Sequence, residues 1–220
     1  MMKSFKVLLP ALFSFALVLF AGCGGGDSDD GISADNHDFG SNDQNLYLCF
    51  GDSITAGNYL PSGERYPDRL SSELGKPVAV DAVPGSGTSD GLDRIHHALD
   101  SVRPGFVVIL YGVNDVIMGY SESLIEYNLR NIIQACIDNQ SIPVICTYCT
   151  PLYGVHRLFS SGVDELNDLI KSIASNMGVK VADFGGEISW TEDLYTMPDG
   201  LHPNSYGQQL MAQVLFETLN

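Results

Sequence analysis

Strand-length apolar runs alternate with amphipathic helical stretches from Asn45 to Leu219, and this alternation constrains the fold more than any other feature. The strand-like runs are Asn45 to Phe50, Val78 to Val83, Phe106 to Leu110, Pro143 to Thr147 and Val179 to Phe184. Phe106 to Leu110 is apolar throughout, as in strands buried on both faces of a parallel sheet. The first helical stretch is Tyr66 to Leu74, with Pro67 in its first turn. Thr88 to Leu99 follows with Leu92, Ile95 and Leu99 on one stripe, then Leu124 to Asn139, opened by Ser123 and Glu126 at capping-box spacing. Val163 to Met177 turns Leu166, Leu169, Ile170 and Ile173 to one side and stops at Gly178, and Tyr206 to Leu219 closes the chain. Strand and helix alternating five times predict a flavodoxin-like, three-layer α/β/α sandwich around a five-stranded parallel sheet. Ligands bind such sheets beyond the carboxyl ends of the strands. Ser53 lies just past the first strand, Gly85 past the second and Asn114 past the third, with Asp199 and His202 in the connection after the fifth.

The first 44 residues do not join this pattern. Lys3 and Lys6 precede an uncharged apolar run, Val7 to Phe20, that is short for a bilayer span and ends in small residues, as a secretory signal does. Leu19-Phe20-Ala21-Gly22-Cys23 resembles the lipobox of bacterial lipoproteins, which implies a signal peptide over 1–22 and lipidation of Cys23. Residues 23–44 carry six aspartates and no basic residue and read as a flexible acidic tether. The folded domain is thus expected over 45–220, in an exported chain held at the bacterial cell envelope by a lipid anchor. Losing Lys3 and Lys6 takes the formal charge from −16 to −18, which argues against a nucleic-acid partner.

Four cysteines lie beyond Cys23: Cys49, Cys136, Cys146 and Cys149. Export would permit disulfides, but Cys146 and Cys149 sit in a strand-like run where an offset of three points them apart. Buried thiols are the expectation. No second cysteine pair completes a zinc site.

Four short blocks occupy the strand ends: Gly51-Asp52-Ser53-Ile54, Gly85 within Val83-Pro84-Gly85-Ser86-Gly87-Thr88, Gly112-Val113-Asn114-Asp115, and Asp199-Gly200-Leu201-His202-Pro203. Each alone has a structural explanation: a helix cap for Ser53, a loop glycine for Gly85, turn residues at Asn114 and Asp115, a helix entry at His202. Together and in this order they resemble the SGNH, or GDSL, hydrolase family, over Leu46 to Leu219. Within it they are most similar to the single-domain arylesterase, thioesterase and lysophospholipase group, although Val113 replaces a glycine often seen there. The resemblance implies the SGNH hydrolase fold and an ester hydrolase. A serine hydroxyl needs a base to take its proton and a third group to orient that base. Ser53 is therefore the expected nucleophile, His202 the general base and then acid, and Asp199 the orienting carboxylate. The resemblance also implies an oxyanion hole from the Ser53 and Gly85 N–H groups and the Asn114 amide. Neither metal nor organic cofactor is expected.

Gly87-Thr88-Ser89-Asp90-Gly91 matches the G-x-S-x-G elbow of another hydrolase class, but Pro84-Gly85-Ser86 separates its serine from the strand, which disfavours Ser89 as nucleophile. His37, His96, His97 and His156 lack metal-like spacing, and His96 and His97 are expected in solvent. Ile117, Met118, Tyr120, Leu152, Tyr153, Leu158, Phe159, Trp190 and Tyr195 fall in loops at the active edge, where they either line an apolar groove or pack the loops down. Asp52, Met118, Tyr153 and Leu158 are the candidate substrate-binding residues. A small-molecule or lipid ester is the expected substrate, and the chain itself is expected to be a monomer. The alternatives are removal of O-acetyl groups from polysaccharide and, in a different class, a non-catalytic lipoprotein binding carbohydrate or lipid.

Overall fold

The computed structural model describes residues 32–188 and 195–220. The expected signal segment, Cys23 and Trp190 lie outside the described residues. The apolar runs form a parallel sheet of β1 (Asp43–Gly51), β2 (Val78–Ala82), β3 (Pro104–Leu110), β4 (Ile142–Cys146) and β5 (Lys180–Ala182), in the order β2-β1-β3-β4-β5. The helices are α1 (Ser53–Ala56), α2 (Tyr66–Leu74), α3 (Thr88–Val102), α4 (Val113–Met118), α5 (Glu122–Asp138), α6 (Ser160–Met177), α7 (Phe184–Glu187) and α8 (Ser205–Leu219). A 3-10 turn spans Val155–Phe159.

α2 packs with α8, whereas α3 packs with α5 and α5 with α6, giving the three predicted layers. Every residue of β3 and β4 is buried, which is why those runs are apolar without alternation. The chain moves from β1 outward to β2, then crosses back to β3, so the strand order reverses beside β1. Connections leave the sheet in opposite directions there and open a crevice at the carboxyl ends.

Three local expectations are corrected. The tether was expected through Gln44, but residues 32–44 pack onto the domain. Ile32 donates its N–H to Gly178 O at 3.2 Å. Phe39 leans on Phe106 at 5.6 Å, and Phe106 in turn stacks on Tyr47 at 4.6 Å. Two apolar side chains among many aspartates suffice, because the amino end of the sheet offers them a second small core of Tyr47, Phe106 and Ile142. The cap of α5 is Ser121, not Ser123. Ser121 is already extended (φ −71°, ψ 145°), so its hydroxyl accepts from Leu124 N, while Glu126 pairs with Arg130 instead. β5 stops at Ala182 because Asp183 bends the chain away: its Oδ1 accepts from Thr147 Oγ1 and Gly186 N and caps α7.

Candidate active site

At the end of β1, Asp52 takes an extended conformation and caps α1, accepting Ile54 N at Oδ1 (2.9 Å). Ser53 becomes the first residue of that helix, half-buried, where a backbone N–H has no partner within the helix. Its Oγ lies 2.8 Å from His202 Nε2. His202 Nδ1 lies 2.6 Å from Asp199 Oδ2. A carboxylate only accepts, so Nδ1 carries the proton and Nε2 presents its lone pair to the serine hydroxyl. Asp199 Oδ1 accepts the N–H groups of Leu201 (3.0 Å) and His202 (3.1 Å). Partial burial pushes the Asp199 carboxyl up, but the His202 hydrogen bond and these two N–H groups outweigh it, holding the acid below its usual range.

The turn that carries the aspartate and histidine closes on itself through Met197 N to His202 O (2.7 Å), Gly200 N to Met197 O (2.9 Å) and the Thr196–Pro203 bridge. The segment after β4 then grips it. Tyr153 Oη meets Thr196 Oγ1 (2.6 Å) and donates toward Met197 O (3.1 Å), and Cys149 Sγ donates to Leu201 O (3.6 Å). Gly154 (φ +66°) and Gly200 (φ +77°) sit where the two segments cross. A methyl on either would collide with the other's backbone, the Asp199 carbonyl in one case and the Tyr153 carbonyl in the other.

The second and third blocks are tied to the same edge. Val83 N donates to Gly51 O (3.0 Å), which sets the turn bearing Gly85 beside the end of β1. Asn114 Nδ2 donates to Ser86 O (2.9 Å), using one of its two N–H groups. Asp115 is fully buried and receives Thr88 N (2.8 Å) and Thr88 Oγ1 (2.6 Å), which fixes α4 against the start of α3.

The structure thus brings Ser53, His202 and Asp199 into one relay and places Gly85 on the adjoining turn and Asn114 at the start of α4. Ser89 stands apart, exposed on α3, with its hydroxyl accepting from Asn128 Nδ2 (3.0 Å). Asp52 is corrected as a substrate-binding residue: it is fully buried, and its second oxygen accepts Tyr148 Oη (2.9 Å). Burial pushes its carboxyl up to about 6, against the Ile54 and Tyr148 hydrogen bonds. Tyr153 is half-buried, and its hydroxyl holds the Thr196–Met197 turn. Met118 and Leu158 stay outward, 55% and 90% exposed.

Three residues around the relay carried no sequence motif. Tyr59 lays its ring against His202 (centroids 4.9 Å, 65°). Buried Gln208 of α8 holds Tyr59 Oη (2.9 Å), Ile54 O (3.0 Å) and Tyr66 N (2.7 Å), locking three elements around the serine. His156 Nδ1 lies 3.0 Å from Asp199 O. A buried glutamine in an apolar helix face was the one legible signal among them.

A hydroxyl, an imidazole and a carboxylate in line at the carboxyl edge of a parallel α/β sheet form the arrangement of a nucleophilic hydrolase. The chain belongs to the GDSL-like lipase/acylhydrolase family, whose model matches residues 49–210, and it is a hydrolase acting on ester bonds. It is similar to an arylesterase of Vibrio mimicus, 29% identical over 178 residues, covering 78% of this chain and 86% of that protein. It is also similar to thioesterase 1/protease 1/lysophospholipase L1 of Escherichia coli K12, 24% identical over 175 residues, with 78% and 82% covered. Among solved structures, TesA superposes with a TM-score of 0.71 at 20% identity, covering 80% of this chain and 98% of that one. An acetylxylan esterase of Geobacillus stearothermophilus superposes with a TM-score of 0.69 at 17% identity, with 81% and 95% covered. These two share the fold.

Proposed function

We propose that the chain is a lipid-anchored esterase of the bacterial envelope that cleaves short-chain, aryl and lysophospholipid-like carboxylic esters through an acyl-enzyme on Ser53. The observation that carries this reading is the relay itself: Ser53 Oγ at 2.8 Å from His202 Nε2, and His202 Nδ1 at 2.6 Å from Asp199. Ser53 Oγ attacks the ester carbonyl carbon as its proton passes to His202 Nε2. Asp199 stabilises the imidazolium that results. The carbonyl oxygen becomes an oxyanion and accepts the N–H groups of Ser53 and Gly85 and the second amide proton of Asn114. His202 then gives its proton to the departing alcohol oxygen, leaving an ester on Ser53. Water attacks that ester with His202 again as base, the acid departs, and the proton returns to Ser53.

Exposed Met118, Leu152, Val155 and Leu158 at this edge favour an acyl or aryl group lying across an open apolar rim rather than in a closed cavity. The names of the two relatives, an arylesterase and a thioesterase/lysophospholipase, agree with that range. The anchor at Cys23, and with it the envelope location, is supported by the basic, apolar and small-residue order of residues 1–23.

Labelling with a fluorophosphonate probe tests the nucleophile: the native chain and Ser89→Ala should label, and Ser53→Ala should not. Labelling of Ser53→Ala would refute the assignment. Hydrolysis of aryl esters of increasing acyl length tests the substrate class. Turnover confined to acetylated sugars would replace this reading with polysaccharide deacetylation.

A further inference from the structure

We propose that His156 is a positioning residue for the Asp199–His202 pair, an inference that rests on the catalytic reading of the relay. His156 lies in the 3-10 turn after β4, next to Gly154, and its side chain is half-buried although Val155, Arg157 and Leu158 around it are exposed. A carbonyl can only accept, so Nδ1–H of His156 donates to Asp199 O at 3.0 Å. Its ring stands 6.5 Å from the His202 ring at 80°.

The grip of this segment on the catalytic turn has several points, but they hold different residues. Tyr153 holds Thr196 and Met197, and Cys149 holds Leu201. Among the described residues, His156 is the side chain from outside the turn that bonds Asp199 itself. Asp199's carboxylate direction is set by the backbone of its own turn, because Oδ1 already accepts the N–H groups of Leu201 and His202. Rotation of the Asp199 peptide would therefore swing Oδ2 away from His202 Nδ1, and His156 opposes that rotation at the carbonyl. The side chain touches neither Ser53 nor the reacting carbonyl. It acts through the aspartate, and its loss should lower the chemical step more than substrate binding.

The test compares His156→Ala, His156→Phe and His156→Asn for kcat, KM and melting temperature on an aryl ester. Asparagine places Nδ2–H where the imidazole holds Nδ1–H, whereas phenylalanine fills the same space without a donor. Ala and Phe should lower kcat by about tenfold with KM within about twofold, the scale expected when a catalytic pair loses one orienting hydrogen bond. Asn should recover most of the loss. An unchanged kcat in Ala, or an Asn variant no better than Phe, would overturn the proposal. Should Ala fail to fold, the Phe and Asn pair decides alone, since one keeps the ring's bulk and the other keeps its donor. Failure of the catalytic reading looks different: the native chain would then not label at Ser53 with the fluorophosphonate.

Discussion

Gly154→Ala offers a direct measure of how far the relay depends on backbone outside the motifs. At φ +66° an alanine pays the left-handed penalty of about 1–2 kcal/mol. Its methyl would also stand 2.8 Å from Pro198 O and closer still to the Asp199 carbonyl, well inside van der Waals contact. Backbone atoms cannot rotate away as a side-chain tip can, so the Asp199 turn must move by several tenths of an ångström. Misplacing a catalytic group by about 1 Å costs on the order of 100-fold in rate, so kcat should fall roughly 10- to 100-fold. Gly178→Ala supplies the control. It has nearly the same backbone conformation (φ +64°), yet open space around the added methyl, at the far end of the sheet. Urea unfolding should show both variants destabilised by about 1–2 kcal/mol or slightly more for Gly154→Ala, while only Gly154→Ala loses kcat. Equal stability losses with kcat retained in both variants would refute the view that this crossing positions Asp199.

Other perturbations follow from the same geometry. Asn114→Ala removes the proposed oxyanion donor together with its bond to Ser86 O, so kcat should drop about 100- to 1,000-fold; steady-state kinetics that leave kcat within a fewfold of the native value would count against that role. Asp52 is pushed up to about 6 by burial, so its protonated form favours folding at low pH and that advantage is lost as pH rises through 6. Asp52→Asn should therefore gain about 2 kcal/mol on the native chain between pH 4 and pH 7.5, and parallel unfolding curves at the two pH values would refute the buried, partnered carboxylate. Cys49, Cys136, Cys146 and Cys149 are buried and free, and burial pushes the Cys49 and Cys149 thiols up to about 12. A thiol reagent should find none of these four in the folded protein and four in denaturant if Cys23 is lipidated, whereas a fifth thiol would show an unmodified Cys23.

What was legible in the sequence had a local physical signature. Period and run length gave the five strands and the five longer helices. The four blocks gave Ser53, Gly85, Asn114, Asp199 and His202, because the bends they make leave glycine, aspartate and proline in the chain. Boundaries were less legible wherever a tertiary contact decided them. Phe39 and Ile32 look like strays in a polar stretch until Phe106 offers them a surface. Asp183 ends β5 because Thr147, 36 residues earlier, donates to it. The short helices α1 and α4 escaped periodicity because four and six residues hold too few turns to show one.

The residues around the relay escaped for a deeper reason. Gly51-Asp52-Ser53-Ile54 suggests that Asp52, beside the nucleophile, meets the substrate. In the fold its neighbour Ser53 points outward while Asp52 turns under the strand to cap α1 and meet Tyr148, so adjacency in the chain means opposite sides of the backbone. His156 shows the converse. It is 43 residues from Asp199, in a stretch without periodicity, and nothing in its spacing distinguishes it from a histidine in solvent. Its meaning comes only from Gly154 and Gly200, which let two loops cross without side chains between them. An acid–base pair built on a loop needs such a second loop to hold it, because the sheet fixes Ser53 through β1 but reaches Asp199 only through the chain beyond β5. The motif states the chemistry, and the crossing with the segment after β4 supplies the precision that the chemistry requires.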